Sequence, residues 1–429
     1  MSFIPPRGMR DIEPEEFQLQ EKIRSTFLEV AALFGFKIME PSPLEALRTL
    51  EAKTGPSIQD EIYFFKDKGG RDLALRFDLT VGITRYIASR KDLHLPAKLG
   101  AFSSMWRYDE PQYGRYRWLH QWDVEIFGPT DVESDAEVID FTSTLMKRVG
   151  LGESSIEIGD RRIIEEYIRK ILGIDDDAIV IEMLRAVDKV GKKSLEDIVN
   201  EYGRKGGSED DLKKLIGFGR TRGEANKMLV SLEEIGISNT GFVADLMDSI
   251  KYRGVKNAVL NMSIVRGLDY YTGIVFEVFA KEDKDLGAIA GGGRYDSLPF
   301  VFGRRDLGAT GAAGGVERIA LALSKKSTNR FDGARVFVAY TGIELKKVAS
   351  RIATDLRSQG ITCETEISGR SLRKQMDAAS QKSIRFVVIV APRELSTGKV
   401  VLKDMESGEE EEISTKVLHS EIKSLSDSK

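Results

Sequence analysis

Sheet-type sequence in this chain breaks off near residue 150, gives way to a charged helical texture that lasts to about residue 255, and resumes at Ala258. That interruption constrains the fold more than any other feature. A chain that leaves a sheet and later returns to it carries the intervening helices as an insertion. Within it, Arg161-Arg162-Ile163-Ile164-Glu165-Glu166-Tyr167-Ile168 sets charged and aliphatic side chains at helical spacing. Upstream, Phe17, Ile23, Phe27, Val30, Ala31 and Phe34 predict an amphipathic helix over 14–34, with Gly35 at the C′ position. A strand over 36–40 follows, stopped by Pro41 and Pro43. A strand over 73–76 leads into a helix over 79–89. Aromatic-rich runs between Leu99 and Phe127, broken by Pro111 and Gly114, predict two antiparallel strands and a long polar loop. Downstream, sheet sequence runs from Ala258 to Phe279. Glycine-rich stretches then lead into a helix over 316–323.

A polar linker over 324–330 separates this part from a second one. There, Val336-Phe337-Val338-Ala339 predicts a short strand, and Leu345, Val348, Ile352 and Leu356 mark one face of a helix closed by Gly360. Phe386-Val387-Val388-Ile389-Val390 is almost wholly apolar, as in a sheet covered on both faces. The division is therefore 1–325, an α+β antiparallel-sheet part with the mostly helical insertion over 150–255, and 331–429, a small α/β domain. The acidic run from Glu409 to Glu412 reads as a solvated hairpin turn.

The one cysteine, Cys363, excludes an intrachain disulfide and reads as a buried thiol in a strand. The three histidines, His94, His120 and His419, lie far apart, so no permanently bound metal is expected. No apolar run reaches the ~18 residues of a membrane span, and the N-terminus does not read as a secretory signal. A net charge of −4, from 64 basic and 68 acidic residues, argues against a nonspecific nucleic-acid coat and leaves room for a local basic patch. There is no P-loop and no catalytic serine or cysteine motif.

Five constellations carry polar chemistry. Arg107-Tyr108-Asp109 with Gly114-Arg115-Tyr116-Arg117 offers bidentate donors to phosphate, or forms a salt-bridged surface hairpin. In His120-Gln121-Trp122-Asp123-Val124-Glu125, alternation puts Gln121, Asp123 and Glu125 on one face, directed at water or at a small polar ligand. In Val265-Arg266-Gly267-Leu268-Asp269-Tyr270-Tyr271, two adjacent tyrosines are flanked by Arg266 and Asp269, a costly set of polar groups for a merely structural strand. Gly311-Ala312-Ala313-Gly314-Gly315 runs into Val316-Glu317-Arg318, which admits a nucleotide or packs a strand tightly on a helix. Asp78 and Thr80 stand at a strand-to-helix junction, where they cap a helix or hold an α-ammonium group. Three well-separated arginines with carboxylates and tyrosines suit electrostatic stabilisation of a phosphoryl-type transition state.

In this order the constellations resemble a class II aminoacyl-tRNA synthetase of the histidyl-tRNA synthetase family, over nearly the whole chain. The helix and strand ending near Pro41 look like motif 1. Residues 105–127 look like motif 2, and 311–318 like motif 3. Arg266 to Tyr271 matches the histidine-specific signature, and Gly291-Gly292-Gly293-Arg294-Tyr295-Asp296 resembles a second one. The C-terminal part resembles an α/β anticodon-binding domain.

The resemblance implies ATP-dependent activation of L-histidine and its transfer to tRNA(His) by a cytoplasmic homodimer. ATP is a substrate accompanied by Mg2+. Arg107 and Arg266 would act at the reacting carboxylate and α-phosphate, with Asp109, Arg115 and Arg318 on ATP. Asp78, Thr80 and Gln121 would hold the amino acid's ends, and Glu125, Tyr270 and Tyr271 its imidazole. The basic run Arg370, Arg373, Lys374, Lys382, Arg385 would meet tRNA, and the helical insertion would clamp the acceptor stem. Two places depart from the family pattern. Leu119 stands where an aromatic residue often stacks on adenine, and the spacing around Pro41 and Pro43 differs from that of bacterial members. The alternative is a histidine-binding regulatory paralog of ATP phosphoribosyltransferase, which typically lacks the C-terminal domain.

Overall fold

The computed structural model describes residues 3–108, 110, 114, 116–128, 130–191, 193–203, 208–265, 271–326 and 336–427. The chain forms two compact units, Met1–Thr328 and Asn329–Lys429.

The first unit is built on a nine-stranded sheet in the order Lys37–Ile38, Ala97–Trp106, Trp118–Gly128, Gly308–Gly315, Ala288–Arg294, Ile274–Phe279, Ser155–Asp160, Ala258–Asn261, Arg222–Gly223. The pairs are antiparallel except Lys37–Ile38 with Ala97–Trp106, and Ser155–Asp160 with Ala258–Asn261. The helices Pro14–Leu33 and Val132–Val149 pack on one face through Ile23, Phe27, Val30, Val138 and Phe141. Alternation along Trp118–Gly128 sends Trp122, Val124 and Ile126 into that apolar layer, where Phe27, Trp122 and Phe141 sit about 6 Å apart, ring to ring. Gln121, Asp123 and Glu125 therefore take the opposite face. Asp131 starts the helix Val132–Val149 by accepting from Glu133 N and Ser134 N, and Gly150, at φ 108°, ends it.

A three-stranded sheet, Leu44–Ala46, Asp72–Leu75 and Phe64–Lys66, leads into the helix Thr80–Ser89. Buried Arg76 ties this sheet to the large one, donating to Pro41 O (2.6 Å), Glu40 Oε1 (2.7 Å) and Ser104 O (2.8 Å). Pro41 is buried, whereas Pro43 is exposed. A Cβ on Gly82 would lie 2.9 Å from the Pro41 ring.

The inserted segment starts later than its composition suggests. Ser155–Asp160 is a strand of the large sheet, buried by Ile274–Phe279 on one side and Ala258–Asn261 on the other. The helices run from Arg161 to Tyr252. Asp160, Asp176, Ser194 and Ser208 cap four of them with side-chain oxygens on backbone N–H groups.

The glycine-rich stretches do lead into a helix, but as strands of the sheet. They are the neighbouring central strands Ala288–Arg294 and Gly308–Gly315, and only then does the helix Val316–Lys326 begin.

The second unit has a five-stranded sheet ordered Cys363–Thr365, Val336–Tyr340, Phe386–Val390, Lys399–Asp404, Glu410–Ser414, the first three parallel. Apolar clusters cover both its faces, with Val336, Val338 and Val388 on one side and Phe337, Ala339 and Val387 on the other. Cys363 is buried, and burial pushes its thiol up to about 11. The acidic run is not the turn of the hairpin. Glu410, Glu411 and Glu412 lie in the edge strand, with Glu410 paired to Lys403 (2.7 Å) and Glu412 to Lys399 (3.3 Å). Charge on an exposed edge discourages pairing with another sheet.

Candidate active site

Two adjoining chambers open on the polar face of the large sheet. The larger, about 310 Å³, is lined by Arg107, Tyr116, Leu119, Glu277, Glu317 and Arg318, and floored by the small residues of the two glycine-rich strands. The smaller, about 190 Å³, is lined by Asp78, Thr80, Glu125, Tyr271, Tyr295 and Gly311. Arg107, Gln121, Gly291 and Ala313 line both, so the two chambers share a wall.

Arg107 follows the strand Ala97–Trp106. Its Nε donates to Phe77 O (3.0 Å) and its Nη2 to Gln121 Oε1 (3.5 Å). These contacts hold the guanidinium between the chambers. Arg318, in the first turn of Val316–Lys326, donates from Nη1 to Ala288 O (2.6 Å) and from Nε to Gly114 O (3.3 Å), which places it on the far wall of the larger chamber. Beside it, buried Glu317 accepts from His120 N (2.9 Å) and contacts His120 Nδ1 (3.1 Å). This joins the helix to the strand Trp118–Gly128.

The smaller chamber is acidic. Glu125 and Asp123 are buried. Burial, then the neighbouring Asp123, push the Glu125 carboxyl well above its ordinary range; hydrogen bonds from Tyr295 and Thr80 pull the other way. Tyr295 Oη donates to Glu125 Oε2, and Thr80 Oγ1 donates to Asp123 Oδ2 at 3.2 Å. Asp78 does cap the helix, as its place at the strand-to-helix junction suggests. Its Oδ1 accepts from Val81 N (3.1 Å) in the first turn of Thr80–Ser89, and it also lines the chamber. An anionic pocket with oriented acceptors suits a ligand bearing N–H donors, and an arginine at its mouth suits that ligand's carboxylate.

The structure thus brings together Asp78, Thr80, Arg107, Gln121, Glu125, Tyr271 and Arg318. Asp109, Arg115, Arg266 and Tyr270 lie outside the described residues. Sequence reading missed Tyr295, Glu317 and Glu277 as site residues. Tyr295 falls inside the recognised stretch 291–296, which was the available signal.

The basic patch of the second unit is less open than its composition implies. Arg370 pairs with Glu366 (2.6 Å), Lys382 with Glu364, and Arg385 with Asp404 (3.2 Å). These acids lie just outside the basic stretch. Arg373 and Lys374, on the helix Leu372–Gln381, are exposed and form no ion pair among the described residues.

The antiparallel sheet thus sets one arginine between two pockets of different size and a second arginine at the start of the following helix. A family model described as histidyl-tRNA synthetase matches residues 8–319, and one described as anticodon binding domain matches 335–425. A histidine–tRNA ligase from Pyrococcus furiosus is 37% identical over 416 residues, 95% of each chain. The crystal structure of histidyl-tRNA synthetase from Nostoc sp. PCC 7120 superposes with a TM-score of 0.84 at 26% identity, covering 99% of both chains. An ATP phosphoribosyltransferase regulatory subunit/histidyl-tRNA synthetase from Bacillus halodurans superposes with a TM-score of 0.74 at 22% identity, over 91% of this chain and 99% of that one, a likeness of fold alone. The chain belongs to the histidyl-tRNA synthetase family.

Proposed function

We propose that the chain activates L-histidine with ATP and transfers it to the 3′ end of tRNA(His). The observation that carries this reading is the wall shared by the two chambers. Histidine in the acidic chamber presents its carboxylate at Arg107, and ATP in the larger chamber presents its α-phosphate at the same guanidinium. The carboxylate oxygen attacks the α-phosphorus, the bond to the bridging oxygen breaks, and pyrophosphate leaves with the electron pair. A ribose hydroxyl of the tRNA then attacks the acyl carbonyl and AMP leaves. Arg107 neutralises charge at the reacting centre, and Arg318 takes the outer phosphates and one face of the base. Arg266 belongs beside the same carboxylate and α-phosphate. Asp109 and Arg115 belong with the nucleotide, and Tyr270 with the imidazole.

Among the described residues no group of three or more His, Cys, Asp or Glu could hold a metal. Mg2+ needs only one or two carboxylates besides phosphates, and Glu277 and Glu317 line the nucleotide chamber. When bound, the ion neutralises the departing pyrophosphate. In this reading the catalytic part is 1–325, the helices within 150–255 hold the acceptor stem, and 331–429 binds the anticodon. The regulatory-subunit alternative is less supported, because the relatives named histidine–tRNA ligase extend through the C-terminal unit. We infer a homodimer through the exposed apolar side chains Ile38, Leu44, Phe64 and Phe65. A cytoplasmic location fits an unpaired buried thiol in a chain whose described helices are none long and apolar enough to cross a membrane.

The test is histidine-dependent ATP–pyrophosphate exchange, with Arg266→Ala beside the wild type. We expect exchange with histidine alone among the amino acids, reduced at least ~100-fold in the variant, the usual effect of removing one preorganised charge donor. Histidine binding without exchange in the wild type would instead establish the regulatory reading.

Binding of tRNA belongs to the basic face of the second unit, comprising Arg370, Arg373, Lys374, Lys382 and Arg385. Arg373 and Lys374, which form no ion pair among the described residues, should dominate. Arg373→Ala with Lys374→Ala is expected to lower the slope of log K for tRNA against log salt by about one to two. Lys382→Ala, which releases a cation already held by Glu364, should change the slope less. Equal slopes in wild type and the double variant would remove this face from the interface.

A further inference from the structure

We propose that Tyr295 is a positioning residue for histidine recognition, holding Glu125 as an aligned acceptor for the substrate's ring N–H while Asp123 opposes it. The proposal rests on the assignment of the smaller chamber to histidine.

Tyr295 is fixed on several sides. It directly follows the strand Ala288–Arg294 and is 2% exposed. Its backbone N donates to Ala309 O at 2.8 Å, and its ring meets Phe127 edge-on with centroids 6.5 Å apart. A hydroxyl held this way donates to Glu125 Oε2 in one direction. Gly311 stands where a Cβ would overlap that same oxygen, so the strand opposite is shaped around this carboxylate rotamer. With Oε2 taken by the phenol, a ring N–H entering the chamber meets Oε1.

The hydroxyl also acts on ionisation. The groups facing Glu125 are Asp123 on its own strand, Asp78 and Thr80 at the helix start, Arg107 and Gln121 on the shared wall, and Tyr271. A protonated Glu125 would place a donor where the ring N–H needs an acceptor. Burial and Asp123 favour that neutral acid, while the hydrogen bonds from Tyr295 and Thr80 favour the carboxylate. Tyr295 and Asp123 therefore push in opposite directions on one group, and their removal must act with opposite sign.

The experiment is the pH dependence of kcat/KM for histidine in pyrophosphate exchange, for wild type, Tyr295→Phe and Asp123→Asn, with KM for ATP measured alongside. Tyr295→Phe should raise KM for histidine about tenfold near neutrality, the size of one hydrogen bond to a charged group. KM for ATP, and kcat at saturating histidine, should stay within about threefold. Its acid limb should move to higher pH, and that of Asp123→Asn to lower pH. The ionisation of free histidine contributes equally to all three profiles and cancels in the comparison. Limbs that stay in place, or move in the same direction, overturn the proposal, as a purely packing role would predict. Should Tyr295→Phe fail to fold, 3-fluorotyrosine in place of Tyr295, a stronger donor of nearly the same shape, decides: an acid limb moved to lower pH supports the proposal and an unmoved limb overturns it. A wild type without histidine-dependent exchange would overturn the functional reading and this proposal together, a result distinct from an active wild type with unmoved limbs.

Discussion

Gly311→Ala should cut histidine-dependent exchange to about one per cent of the wild-type rate or less and lower the melting temperature. The strand Gly308–Gly315 is hydrogen-bonded on both sides, Gly311 lying opposite Glu125 on one strand and Gly293 on the other. Its backbone cannot retreat. An added Cβ would overlap the Glu125 carboxylate and lie 2.7 Å from Val124 O, a backbone atom in the same ladder. Glu125 must rotate, which leaves the Tyr295 hydroxyl without its partner in a buried site. Overpacking costs about 1–3 kcal/mol and an unsatisfied buried polar group about as much again. The loss in exchange should appear mainly as a raised KM for histidine, since the larger chamber keeps its arginines. A Gly311→Ala enzyme with KM for histidine within about threefold of wild type would show that Glu125 is not the imidazole acceptor.

Glu125→Gln should separate stability from function. Exchange is expected to fall roughly 10²–10³-fold, because an amide replaces a charged acceptor facing a ring N–H. Stability should change the other way. The carboxyl of Glu125 titrates above its ordinary value of 4.5 in the folded chain. Between the unfolded and folded values the folded state holds a proton that the unfolded state has lost, so stability falls as pH rises through that window. The glutamine variant lacks this penalty. It should melt a few degrees above wild type near pH 8 and match it near pH 4, below the unfolded value. A variant less stable than wild type at pH 8 would mean that the chamber stabilises the ionised carboxylate more than burial penalises it. Active sites commonly carry such a conflict, because ligand complementarity is built at the expense of the empty fold.

How much of this was legible in the sequence varied with the kind of signal. Gln121, Asp123 and Glu125 could be put on one face because strand alternation is a backbone property, and the apolar Trp122, Val124 and Ile126 between them fixed which face meets the helices. Phe386–Val390 announced a doubly covered strand by its unbroken apolar run. The two glycine-rich strands gave no such signal. Strand preference is read from side chains that pack on a pleated surface, and these strands have given up their side chains to floor a chamber. Tyr295 was visible within a motif, but its hydrogen bond to Glu125 joins residues 170 positions apart. The basic patch misled for a related reason. A reading confined to the run from Arg370 to Arg385 omits Glu366, four residues before Arg370, and Glu364 and Asp404, which the sheet brings back to Lys382 and Arg385.

The strands Ser155–Asp160 and Ala258–Asn261 run parallel, side by side, toward the edge of the sheet away from both chambers. Neighbouring parallel strands cannot be joined by a tight turn; some long excursion has to carry the chain from the end of one to the start of the other. The helices from Arg161 to Tyr252 are that excursion. Apart from the short edge strand Arg222–Gly223, which the excursion lends to Ala258–Asn261, the sheet asks only that the path leave and return. A lineage could lengthen, recharge or reshape the helices of this stretch while the strands that floor and wall the chambers stayed untouched, so the excursion and the reaction chemistry are free to diverge at separate rates within one continuous polypeptide.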